Sequence, residues 1–193
     1  MRQGELFPSV LSLAPQPDWR PGEASLQEWR ERVATFQHGR RRGQSPDQAC
    51  LPLFAPPGPE AAMAEVPDPL QLTPLALQFW RWPQPTHSGP ALYFVLDHGL
   101  GDQHSLLLYV GETAHADRRW KGDHDCKAYL ADYGETLSRG NAPARLSIRF
   151  WCDAPAAVRS RRQLEQQQIR HWQPPFNKEC RDRWQTPFQK PAP

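Results

Sequence analysis

Four side chains, Tyr93, Tyr109, Arg119 and Glu165, supply between them the parts that hydrolysis of a phosphodiester needs. A hydroxyl can orient or deprotonate the attacking water, a fixed cation can meet charge developing at phosphorus, and a carboxylate can hold a divalent ion. A phenol has an ordinary pKa of about 10 and needs a cation beside it to act as a base. An arginine offers a planar fork of donors suited to phosphate oxygens; Arg118, next in the chain to Arg119, could take that place instead. Each residue also has a plainer reading. Strands favour tyrosine for packing, and a helix glutamate is commonly just solvated.

These residues can act together only if the chain folds so as to gather them. Residues 91–96 (ALYFVL) and 105–110 (SLLLYV) read as two strands joined by a loop carrying Asp97, Gly99, Gly101 and Asp102, which suits an antiparallel hairpin. Helical stretches are expected over 114–121 and 126–137. Residues 145–151 alternate, with Leu146, Ile148 and Phe150 on one face, the period of a half-buried strand. A helix over 156–172 follows Pro155, with Val158, Leu164, Ile169 and Trp172 as core contacts, and ends at Pro174 and Pro175. The expected fold is α/β in the α+β sense: a small, mainly antiparallel three-stranded sheet flanked by helices.

The first ninety residues differ. The chain has 193 residues and 22 prolines, and prolines recur every few positions up to Pro85, so continuous regular structure is excluded there. The exception is 25–41, where Ser25 with Glu28 makes a capping box and Leu26, Trp29, Val33 and Phe36 repeat at helical spacing. Residues 56–69 read as a linker, and 70–82 are apolar enough to pack on the strands and helices C-terminal to them. The organisation expected is a Pro-rich extension over 1–89, a domain over 90–180 and a tail over 181–193.

Composition narrows the classes further. A formal charge of +2 allows polyanion binding only through a local patch. Cys50, Cys126, Cys152 and Cys180 are far apart, with no CxxC pair and no signal peptide, which points to a reduced, cytoplasmic protein rather than a disulfide framework or zinc knuckle. The seven histidines show no metal-binding spacing. No apolar run reaches the roughly 20 residues that span a bilayer.

The ordered motifs also resemble a known family, the GIY-YIG nucleases. Ala91-Leu92-Tyr93 resembles the first signature strand, with alanine in place of glycine, and Tyr109-Val110-Gly111-Glu112-Thr113 resembles the second. Arg119 follows Tyr109 by ten residues and precedes a large apolar residue, Trp120. Glu165 is followed four residues later by Ile169 and twelve later by Asn177, in a Pro-x-aromatic-Asn ending. The loop between the tyrosine strands is about six residues longer than is typical of the family, and Asp123 stands where some members carry His or Tyr, with His124 one place further on.

The resemblance implies a metal-dependent endonuclease acting on DNA, in repair, recombination or restriction. Tyr93, Tyr109, Arg119, Glu165 and Asn177 would form the site, with His124, Arg118 and Lys127 as further members, and Glu165 would ligate one Mg²⁺ or Mn²⁺. No small-molecule cofactor is implied. The alternative is a catalytically inactive nucleic-acid-binding module with the same fold. Asn177 suits a tether after the helix better than a phosphate contact, and Gly111 suits tight backbone geometry after the strand. Lys121, Lys127, Arg159, Arg161, Arg162 and Arg170 could track DNA phosphates or form a solvated face. Gln48, Leu51 and Phe54 fit a short peptide that docks on a sliding clamp, or an apolar patch folded onto the core.

Overall fold

A computed structural model describes residues 23–43, 66–81, 86–101, 104–121 and 125–186. His124 and the peptide carrying Gln48, Leu51 and Phe54 lie outside the described residues, as does most of the 56–69 linker. The fold is α+β. Among the described residues there are three strands, β1 (Ala91–Asp97), β2 (Leu106–Thr113) and β3 (Leu146–Trp151). Four helices accompany them: α1 (Glu23–Arg41), α2 (Asp125–Arg139), α3 (Val158–Trp172) and the single turn α4 (Arg181–Trp184). None is long and apolar enough to cross a membrane.

The sheet is antiparallel with order β2-β1-β3. β1 is central and buried along its whole length, which explains why its sequence is apolar almost throughout rather than alternating. The register with β2 slips between Val95 and Leu96, a bulge that leaves Tyr109 opposite Val95 and Leu107 opposite Leu96.

Both outer edges of this small sheet are met by neighbouring groups. On the outer side of β2, Gln37 of α1 accepts from Leu107 N–H at 2.8 Å and donates to its carbonyl at 2.9 Å. Asn177 does the same at Val110, at 2.9 and 2.8 Å. Between them Phe176 N–H donates to the Leu108 carbonyl at 2.9 Å. On β3, Leu75 exchanges both backbone hydrogen bonds with Ile148, at 2.8 and 2.9 Å. Arg149 then holds the preceding segment by donating to the carbonyls of Pro69 and Leu72.

The core runs across position 90. Leu26, Trp29 and Val33 of α1, and Val66, Leu75 and Phe79, are buried in one cluster with the sheet and with Tyr133, Leu164 and Phe176. Arg30 reaches Asp97 at 3.0 Å with both side chains buried, and Tyr133 donates to the same carboxylate at 2.7 Å. Helix α1 is therefore tied to the end of β1 by a buried ion pair.

Four local expectations need correction. Ser25 lies inside α1, which begins at Glu23, so it is not the cap. Residues 114–121 form successive turns rather than an α-helix. There the Thr113 hydroxyl accepts from His115 N–H at 3.0 Å, and this local bond gives the backbone an alternative to the helical ladder. Helix α3 starts at Val158, two residues later than expected. Val158 is 48% exposed and makes no part of the core; the buried stripe of α3 is Arg161, Leu164, Gln168, Ile169 and Trp172. The helix stops at Gln173, whose φ of 49° and N–H bond to Ile169 turn the chain before Pro174.

Candidate active site

The floor of the site is a cross-strand pair. Tyr93 on β1 lies directly opposite Gly111 on β2 and Phe150 on β3, so the three share one face of the sheet. A Cβ at position 111 would overlap the Tyr93 ring. Gly111 is thus inside the strand rather than after it, and glycine is required there for the space its missing side chain leaves. The ring of Tyr109 lies 5.9 Å from that of Tyr93 at 28°, while Trp120 meets Tyr93 edge-on at 6.0 Å.

Arg119 is delivered by the turns that come after β2. Its Nε donates to the Tyr93 hydroxyl at 3.1 Å, and its guanidinium carbon stands 5.8 Å from the ring centroid. Arg118 is 76% exposed and pairs with Asp117 at 3.4 Å, so of the two arginines Arg119 is the one turned inward. Lys127 lies over Trp120 at 5.7 Å, on the flank of the group.

Glu165 comes from the middle of α3 to the outer edge of β2. Its Oε1 accepts from the Glu112 N–H at 3.1 Å, completing the row of side chains along that edge. Burial, and then the negative charge of Glu112, push its carboxyl up to about 7; the Glu112 N–H and Arg119 act in the opposite direction. Burial raises Tyr109 to about 12, with the charge of Cys126 adding to the rise and a hydrogen bond with Tyr93 opposing it. Tyr93 itself is 0% exposed, and burial pushes its phenol well above the usual value near 10. A phenol so held stays protonated at neutral pH.

Tyr93, Tyr109, Arg119 and Glu165 are thereby gathered, with Tyr93 beneath and the other three half-buried around it. Asn177 is held at the Val110 backbone of β2. It is 4% exposed, and both ends of its amide are spent on Val110, so it tethers the chain after α3 to β2. Arg161 does not face a phosphate path either. It is 1% exposed, its Nε meets Glu112 Oε2 at 2.6 Å, and its Nη1 donates to the carbonyls of Pro155 and Ala156, each at 3.0 Å. Arg159, Arg162, Arg170 and Lys121 are exposed.

Two neighbours were not picked out from sequence. Glu112 lies beside Glu165 and is neutralised by Arg161 and, at 3.5 Å, by Arg162; its place inside the YVGET run was the available signal. Cys126, at the start of α2, is fully buried beneath the two tyrosines, and nothing in its spacing marked it.

A closed protein cage for a metal is not what these residues make: among the described residues no three of His, Cys, Asp and Glu converge on one point. The donor chemistry nonetheless fits Mg²⁺ or Mn²⁺, since Mg²⁺ retains several waters and binds through one or two carboxylates together with substrate phosphate. Glu165 has the required character, a half-buried carboxyl raised by a like charge beside it and set to gain from a cation.

No protein-family model, curated protein or solved structure matches this chain.

Proposed function

We propose that this chain is a divalent-metal-dependent endonuclease of the GIY-YIG type, hydrolysing DNA phosphodiester bonds, with a Pro-rich N-terminal extension on the catalytic fold. The observation that carries the reading is the Arg119–Tyr93 hydrogen bond, with Tyr109 and the raised carboxyl of Glu165 both in electrostatic reach of Arg119. A buried hydroxyl, a fixed guanidinium and a carboxylate seeking a cation are three different parts of one reaction, and simple packing has no need to gather them.

In this reading Glu165 would hold one Mg²⁺ or Mn²⁺, which also takes substrate phosphate. When bound, the ion supplies charge for the phosphoryl oxygens and lowers the pKa of its water. Arg119 donates its remaining N–H groups to the phosphate as negative charge accumulates there. Tyr109, still protonated, donates a hydrogen bond to the incoming water or the phosphate, while Tyr93 fixes Arg119 from below. A new P–O bond forms from water as the ester P–O bond breaks, giving a phosphate monoester and an alcohol. A role in repair, recombination or restriction and a cytoplasmic location belong to the same proposal.

Incubation of purified protein with supercoiled plasmid and Mg²⁺ or Mn²⁺ tests it. Nicked or linear product is expected from the wild type, and none from Glu165→Ala. Plasmid left intact with every divalent ion would defeat the enzyme reading, and plasmid bound but uncut would identify a catalytically silent DNA-binding module instead.

A further inference from the structure

The helix that carries Glu165 has a second face with a composition of its own. Between Val158 and Trp172 there are four arginines and a single acid, Glu165. Arg161 is turned inward onto Glu112, which removes it from any outside role. The solvent side of the helix lines an open groove with Val158, Arg159, Arg162, Gln163, Gln166 and Arg170. Among the described residues neither Arg159 nor Arg170 has a carboxylate partner; Arg170 Nε donates to the Gln166 carbonyl at 3.1 Å. Glu179, beside the groove, accepts from the Gln166 amide at 3.2 Å. Arg162 is 69% exposed and 3.5 Å from Glu112, so it joins the groove to the site.

We infer that this arginine-lined face of α3 is the track along which a DNA strand runs from the scissile phosphate. The inference rests on the nuclease reading and adds where substrate binds outside the reacting centre. From Arg159 to Arg170 is eleven residues, about 16 Å along the axis at 1.5 Å per residue. A duplex strand advances about 3.4 Å per nucleotide along its axis, so the row spans about five phosphates. The Arg159 and Arg170 guanidinium groups, with no acid partner among the described residues, match a polyanion, and the amide of Gln163 adds a neutral donor between them. Val158 is the single apolar residue in the groove, too little for a hydrophobic protein partner or a membrane face.

The test uses the full chain in EDTA, where nothing is cut, and a fluorescent 30-base-pair duplex read by anisotropy across a salt series. R159Q/R170Q should bind about tenfold or more weakly, and the slope of log affinity against log salt should become shallower by about 1.8, or 0.9 for each phosphate contact removed. R139Q/R145Q, which removes two exposed arginines elsewhere, should bind like the wild type. The inference is overturned if R159Q/R170Q keeps the wild-type affinity and slope, if R139Q/R145Q loses as much, or if the two arginines govern binding to phosphatidylserine vesicles and not to DNA. Plasmid cutting separates the two claims. A wild type that cuts while R159Q/R170Q binds normally leaves the nuclease and removes the track. One that binds through the track but never cuts does the reverse.

Discussion

Replacing Glu165 with glutamine exchanges one carboxylate oxygen for an amide nitrogen, and the structure says that this should stabilise the protein in a pH-dependent way. The folded state raises the carboxyl from an ordinary 4.5 to about 7, so it holds the proton more tightly than the unfolded chain does. The penalty is therefore absent below about 4.5, grows as pH rises toward 7, and is complete above that. Unscreened, that difference corresponds to roughly 3 kcal/mol against the ionised fold. The site is partly open to solvent, and screening brings the figure to about 2 kcal/mol. Glutamine keeps an oxygen to accept from Glu112 N–H and carries no charge. Glu165→Gln should therefore raise Tm by about 4–8 °C at pH 8 and by no more than about 2 °C at pH 5. Thermal unfolding at the two pH values, followed by circular dichroism, reads this directly. Added Mg²⁺ should raise the wild-type Tm at pH 8 and leave the glutamine variant unmoved. A variant that is no more stable at pH 8, or that gains equally at both pH values, would show that the Glu165 carboxylate does not strain the fold. The pattern expected, a protein made more stable by losing its reactive group, is the ordinary cost of holding a charged site half out of water.

Other substitutions probe the supports of the site. Gly111→Ala drives a methyl group into a Tyr93 ring already packed by Tyr109, Trp120 and Phe150, and should cost about 3 kcal/mol in urea unfolding; a loss below about 1 would mean the ring can move aside. Arg161→Ala strips Glu112 of its short partner and leaves two carbonyls without their donor, a loss of about 3–5 kcal/mol. Arg161→Lys should recover only part of it, because an ammonium cannot reproduce the fork that serves three acceptors. Asn177→Ala leaves the Val110 N–H and carbonyl unmet, costing about 2–4 kcal/mol, while the cutting rate per folded molecule stays unchanged. A large rate loss in a fully folded Asn177 variant would return that residue to the chemistry.

The three strands and the long helices were readable because each carries a period or a run that only one element satisfies: ALYFVL for a strand buried on both faces, and the alternation of Leu146, Ile148 and Phe150 for an edge. Val158 misled for a local reason. It is apolar and lies in phase with the helix, yet it occupies the first turn, beyond the reach of the sheet. Residues 114–121 misled because a single hydroxyl, Thr113, diverts the backbone, and helical propensity does not register such a bond. Arg119 and Glu165, picked out by their offsets, are brought near the two tyrosines by the fold. The partners of Arg161 were not, since an arginine spacing on a helix cannot distinguish a side chain that turns in to Glu112 from one that turns out to water. Tyr93 could be located by motif, but its complete burial depends on Gly111 and Phe150 across two neighbouring strands.

The sheet's closed margin has a chemical consequence of its own. Gln37 and Asn177 serve the backbone of β2 only because each carries one acceptor and one donor, in the same arrangement as a missing neighbouring strand would present them. Conversion of either amide to its carboxylate keeps the side chain's outline and exchanges that NH₂ for a negatively charged oxygen facing the carbonyl of Leu107 or Val110. Ageing at two nitrogen atoms would thus expose a length of bare strand to other chains, at the margin where Glu165 is seated.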